Sequence, residues 1–210
     1  MQDSDGGIYD GDRAPNKVHT EPHVDAGAAF LMLYEATGDG KWLLCAERAF
    51  SWFERKVYHP EEGLIDQGIW GGSPSTIFAT DCYSWSMAGP LGDRIPLEAL
   101  RKLTETMLNR SLVKITLTLP DLAKKTVILC DFTNPEDPRA RNARGGYHPL
   151  GSVEWTSGVI LALQKNAVRF WDSGYRPAAI FYKGLAEGLL AETAKCFYYI
   201  DDLQGWATFY

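Results

Sequence analysis

Three carboxylates, Asp25, Asp81 and Glu154, each stand at the expected start of a helix that is largely apolar. Two of them recur in one register. The segments Gly7 to Gly11 and Gly63 to Gly68 share a Gly-X-X-Asp pattern, and the spacings Asp10 to Asp66 and Asp25 to Asp81 are both 56 positions. A third, looser copy opens its helix at Glu154. Carboxylates in this position have two uses. In a first turn they satisfy free N–H groups and complement the helix dipole, with no substrate involved. At equivalent ends of stacked helices they also converge. One convergent group can then protonate a leaving oxygen while another activates water or attacks an anomeric carbon.

Asp81 is the strongest of the three, because Thr80-Asp81-Cys82-Tyr83-Ser84-Trp85 surrounds it with rings and hydroxyls. Trp85 and Tyr83 can stack on or hydrogen-bond a sugar ring, and Trp155 makes the same offer beside Glu154, although large aromatics also fill cores. His23, two residues ahead of Asp25, and His148, within Gly145-Gly146-Tyr147-His148-Pro149, can donate to a hydroxyl. Arg139, Arg141 and Arg144 form a basic cluster able to hold a uronate or sulfate bidentately, or simply to solvate a loop. Asp10 and Asp66 read as turn formers. His19 and His23 have the spacing of a helical metal pair, but Pro22 between them argues against a helix there. No metal and no cofactor is therefore expected. No G-x-S-x-G, P-loop or dinucleotide fingerprint is present, which leaves esterase, kinase and dehydrogenase readings without support.

Positioning such groups takes a packed scaffold, and the 210 residues, 45% of them hydrophobic, can build one. The net charge of -6 argues against nucleic acid as a partner, since a phosphate-backbone binder carries a basic face. Seven Trp, ten Tyr and nine Phe exceed what core filling asks for and suit a sugar partner, whose C–H faces stack on rings. The four cysteines are widely spaced and read as free, mostly buried thiols, with a disulfide open if the protein is secreted. No apolar run is long enough to span a membrane, and the compartment stays open between cytoplasmic and secreted.

The elements follow as three helical hairpins. Val24 to Thr37 is apolar almost all round, so it is expected to be an inner helix buried on every side, and Gly38-Asp39-Gly40 turns it into an amphipathic outer helix, Lys41 to Tyr58. The second pair is Thr80 to Ala88, closed by Gly89-Pro90, and Leu97 to Leu112. Strict alternation over Val113 to Leu119, paired with Thr126 to Cys130, predicts an inserted β-hairpin spanning 113–130. A Pro- and Arg-rich loop, Asn134 to Pro149, is expected to be long and mobile. The third pair is Val153 to Trp171 and Pro177 to Ile200, after which Asp201 to Gly205 resembles a loop introducing a fourth inner helix. The expected fold is mainly α, a toroid-like array of about three helical hairpins forming one domain over 1–210. That leaves open a homodimer, or a larger ring of which this is one half.

The segments Tyr34 to Leu43 (YEATGDGKWL) and His59 to Asp66 (HPEEGLID) resemble the six-hairpin (α/α) toroid superfamily. It includes glycoside hydrolases, unsaturated-uronyl hydrolases, polysaccharide lyases and sugar epimerases. The resemblance covers roughly Gly7 to Ile200 and lies in scaffold motifs. It implies a toroid fold and a carbohydrate substrate more than one reaction. With the carboxylates above, the leading expectation is hydrolysis of glycosidic bonds in an oligo- or polysaccharide, with Asp81 as acid or base and Asp25 or Glu154 as its partner. A lyase acting on uronate-containing glycans is the alternative, with His23 or Tyr83 as base and the arginine cluster neutralising charge. A non-catalytic glycan-binding module or helical-repeat scaffold is the third reading.

Overall fold

The computed structural model describes residues 2–11, 17–118, 123–143, 146, 149–200 and 205–208, with the backbone alone for 143, 198–200 and 205–208. The chain is mainly helical, with seven α-helices and small antiparallel sheets among the described residues. The chain packs as two compact units, residues 1–106 and 107–210.

The first unit begins with β1 (Lys17–His19), α1 (Thr20–Thr37) and α2 (Gly40–Lys56). Gly38 ends α1 in the left-handed conformation at φ 67°, its N–H donating to the Tyr34 carbonyl, and Asp39 caps α2 by accepting from the Lys41 N–H. Only a residue without a Cβ takes that turn without strain. Gly27 lets the two helices meet closely: a Cβ there would lie 2.7 Å from the Phe50 ring. Along α2, Ala46, Ala49, Phe50, Trp52 and Phe53 are buried while Glu47, Arg48, Glu54 and Arg55 face solvent, as the amphipathic pattern predicts. The expectation for α1 is corrected. Thr20, His23, Val24 and Gly27 are buried, but Met32 is 67% and Leu33 40% exposed, so the apolar helix is covered on one side only.

Four short strands follow, β2 (Tyr58–His59), β3 (Leu64–Ile65), β4 (Gly68–Trp70) and β5 (Ser73–Ser75). They form a β2–β3 ladder and an antiparallel sheet in the order β1-β4-β5. Next comes α3 (Thr80–Ala88), stopped at Gly89-Pro90 as expected, and then α4 (Leu97–Ser111), which closes this unit and opens the second. Leu100, Leu103 and Thr104 of α4 are fully buried, the Thr104 hydroxyl reaching the Met87 sulfur of α3 at 3.5 Å.

In the second unit, β6 (Leu112–Thr118), β7 (Lys124–Asp131) and β8 (Gly151–Ser152) form an antiparallel sheet, so the expected hairpin gains a third strand. Val113 is buried and Ile115 and Leu117 are half-buried, while the lysine and threonines between them face out; Leu119 lies outside the described residues. The 134–149 segment is not simply a loop. It holds α5 (Pro138–Ala143), and the buried Asp131 carboxylate ties its ends by accepting from the Thr133 and Leu150 N–H groups. Then α6 (Val153–Asp172) and α7 (Arg176–Ala194) pack on each other and on β7. The last helix ends earlier than its pattern suggests. Phe197–Ile200 is a strand, β9, pairing antiparallel with β10 (Gly205–Thr208), because a run of aromatic and β-branched residues favours a strand over a further helical turn. Gly205 therefore opens a strand and not a fourth inner helix, and 201–204 lie outside the described residues.

Candidate functional site

The helix starts revise the repeat register. Asp81 and Glu154 are each the second residue of their helix, α3 and α6. Asp25 is the sixth residue of α1, and the carboxylate in the equivalent second position is Glu21. Pro22 is the reason: a proline breaks a helix interior, yet in the first turn it gives up an N–H that has no helical partner anyway, so α1 begins before it. Asp25 thus sits one turn too far along, at the surface, its carboxyl raised by desolvation alone.

The first turns of α1 and α3 are fastened to one piece of backbone. Thr20 donates its N–H to the Gln67 carbonyl at 2.9 Å and its hydroxyl to the Asp66 carbonyl at 2.7 Å, while the Cys82 thiol reaches the same Gln67 oxygen at 3.9 Å. Thr20, Thr80 and Cys82 are all buried, so this junction is core. It brings both Glu21 and Asp81 within electrostatic reach of Cys82. Burial pushes the Cys82 thiol well above its ordinary range, and the charges of Asp81 and Glu21 push it further.

Asp81 is held above the ordinary carboxylate range. Desolvation by burial dominates, opposed by the Cys82 N–H at 2.7 Å and by the charge of His19. Within α3 every residue except Asp81 and Trp85 is buried. The two lie one turn apart, so a carboxyl held above its ordinary range and an indole share the helix's one accessible stripe.

His19 extends this face. Its Nδ1 lies 3.1 Å from the Asp10 carboxylate, whose other oxygen accepts the His19 N–H, and its ring meets the Trp70 ring edge-on at 5.4 Å. Burial lowers the imidazole pKa, while Asp10 raises it, Lys17 lowers it and Asp81 raises it. Lys17, cross-strand from Trp70, lies 5.0 Å from that ring's centroid and 3.9 Å from Asp10. Asp10 is accordingly more than a turn former: it links His19 and Lys17 beside the carboxylates. Asp66 is also more than that, being buried and bonded to His59 at 2.9 Å. Glu21 joins this cluster although the sequence pattern does not single it out, and Asp10 and His19 join it where their spacing suggests only a turn and a discounted metal pair. Counting each carboxylate from the first possible helical residue, Thr20, would have found Glu21.

Other candidates are placed elsewhere. His23 is 1% exposed against Trp52, with Nδ1 accepting from the Ile8 N–H at 3.3 Å and Nε2 bonded to the Ala49 carbonyl at 2.8 Å, so both nitrogens are already used. Tyr83 is 1% exposed, packs on Phe78, and its hydroxyl accepts the Ile65 N–H. Neither presents a group to a ligand. The arginine cluster is engaged within its own segment, Arg139 with Asp137 and Arg141 with Glu136, while Arg144 and His148 lie outside the described residues.

Glu154 and Trp155 belong to the second unit. Ser152 caps α6 by accepting the Glu154 N–H, and Trp155 packs on Phe132 at 5.2 Å. Together they line a cavity of about 770 Å³ whose walls, among them Ile115, Leu117, Leu129 and Phe197, are mostly apolar. All four cysteines are free, and no group of metal-binding side chains occurs among the described residues. No helix among them is long and apolar enough to cross a membrane.

Compared with known proteins, the chain matches no protein-family model, no curated protein and no solved structure.

Proposed function

We propose that this protein is a carbohydrate-active enzyme that hydrolyses glycosidic bonds with paired carboxylates at the N-terminal ends of α1 and α3. The observation that carries the reading is the junction at Gln67, which sets Glu21 and Asp81 within electrostatic reach of Cys82, together with the burial that holds Asp81 above the ordinary carboxylate range. Asp81 is the proton donor to the leaving oxygen. Glu21 replaces Asp25 as the partner that activates water or attacks the sugar. Trp85 supplies the stacking surface one turn from the donor. We assign the three hairpins to a toroid-like array, supported by the carboxylate at the second position of α1, α3 and α6.

The lyase alternative loses its parts, because Tyr83 and His23 are committed to the core and the described arginines to acidic neighbours. In a panel of neutral and acidic oligosaccharides, Asp81→Asn is expected to cut turnover by about 10²–10⁴-fold, the usual contribution of a positioned acid. Glu21→Gln is expected to do the same while Asp25→Asn leaves most activity. Full activity in Asp81→Asn would remove the residue from the mechanism.

A further inference from the structure

Helix α7 carries an apolar stripe that is buried and, beside it, a mixed stripe that is not. Ala179, Tyr182, Ala186, Leu189 and Thr193 are buried, which accounts for the packing on α6 and β7. The neighbouring stripe is Ile180, Lys183, Glu187 and Leu190, at successive intervals of three, four and three residues. It is open to solvent: Ile180 is 64% and Leu190 54% exposed, and the Lys183 and Glu187 side chains are 72% and 65% exposed. This is the a, d, a, d spacing of a coiled-coil seam. Beside it runs a groove of about 530 Å³ between α6 and α7, walled by Val168 and Trp171, themselves 57% and 46% exposed.

What distinguishes the stripe is the order of its residues. When the same helix is laid antiparallel on itself about a two-fold axis at Leu185, Ile180 meets Leu190 and Lys183 meets Glu187, each layer twice. Antiparallel seams pair a positions with d positions in this way, and two-fold interfaces require a self-complementary patch. Lys183 and Glu187 already pair along the helix at 3.7 Å, and a lipid surface or an apolar peptide would bury that pair with no further polar partner, which is costly. A second copy of this helix adds a second opposite charge to each across the seam.

We infer that the exposed face of α7 is an antiparallel homodimer seam. The groove beside it accepts the flank of the other copy. The inference rests on residue order and exposure in the second unit and is independent of the catalytic reading.

Sedimentation of the full chain across a micromolar to near-millimolar series is expected to show a monomer–dimer equilibrium, with Ile180→Asp shifting it to monomer. Ile180→Ser serves the same purpose should the aspartate variant lose helicity by circular dichroism. Lys183→Glu and Glu187→Lys each place like charges in both charged layers, so each alone is expected to weaken dimerisation by about tenfold or more. An equimolar mixture of these two variants restores opposite charges in both layers and is expected to dimerise as wild type does. A monomer throughout the series, a dimer indifferent to Ile180→Asp, or a mixture no tighter than its components would overturn the seam.

Discussion

At Asp81 burial outweighs the N–H of Cys82 and the charge of His19, so the carboxyl favours its protonated form more than a solvated aspartate does. A general acid needs that, and the alkaline limb of the activity profile should fall as pH rises through this raised value. Trp85, one turn away, contributes binding and not proton transfer. Trp85→Ala is therefore expected to raise KM by about tenfold with kcat nearly unchanged, the split expected from losing one ring contact. A different residue governs stability. His23 is buried and neutral, its pKa pushed down to about 4 by desolvation, with the Ala49 bond opposing. The unfolded chain binds that proton near pH 6.5, so the stabilisation is complete above pH 6.5 and is lost as pH falls from there to about 4. On the order of 3 kcal/mol is at stake. Thermal melts of wild type against His23→Gln isolate the effect: the difference between them should shrink as pH falls through this window, and a constant difference would contradict the assignment.

Among the elements, turn chemistry was the most legible feature of the sequence. Gly38, Gly89-Pro90 and the alternation over Val113 to Leu117 each specify a local backbone, and the structure places α1, α3 and β6 accordingly. Gly38 and Gly40 provide a contrast within one turn. Gly38 has positive φ, so Gly38→Ala is expected to cost about 1 kcal/mol in denaturant unfolding. Gly40 opens α2 with open space around it, so Gly40→Ala is expected to be neutral or stabilising. Equal effects would mean that the turn does not depend on the left-handed residue. Less legible were the limits set by long-range bonds. Thr20 starts α1 because the Gln67 and Asp66 carbonyls, 47 and 46 residues away, take its N–H and hydroxyl, and spacing within α1 cannot reveal that. The same applies to Phe197–Ile200, where a later strand and not the preceding helix decides the backbone.

At the scale of the molecule, helix content and the hairpins were readable from period, whereas exposure was not. An apolar helix implies burial, yet α1 and α7 leave Met32, Ile180 and Leu190 in solvent. Periodicity records which faces are apolar; it does not record what covers them. The candidate site was half legible. Asp81 and Trp85 stand together as their spacing requires, while Glu21, Asp10 and His19 join them only through the β1–β4 pairing and the Gln67 junction. His23 and Tyr83 have the residue types of a site but the burial of a core. The central claim is that these carboxylates hydrolyse a glycosidic bond, and product mass tests it most directly. Incubated with the oligosaccharide panel and read by mass spectrometry, the folded protein should yield fragments whose summed mass exceeds the substrate by one water, a gain that disappears in Asp81→Asn. Unsaturated fragments formed without water, or no turnover by the folded protein, would contradict it.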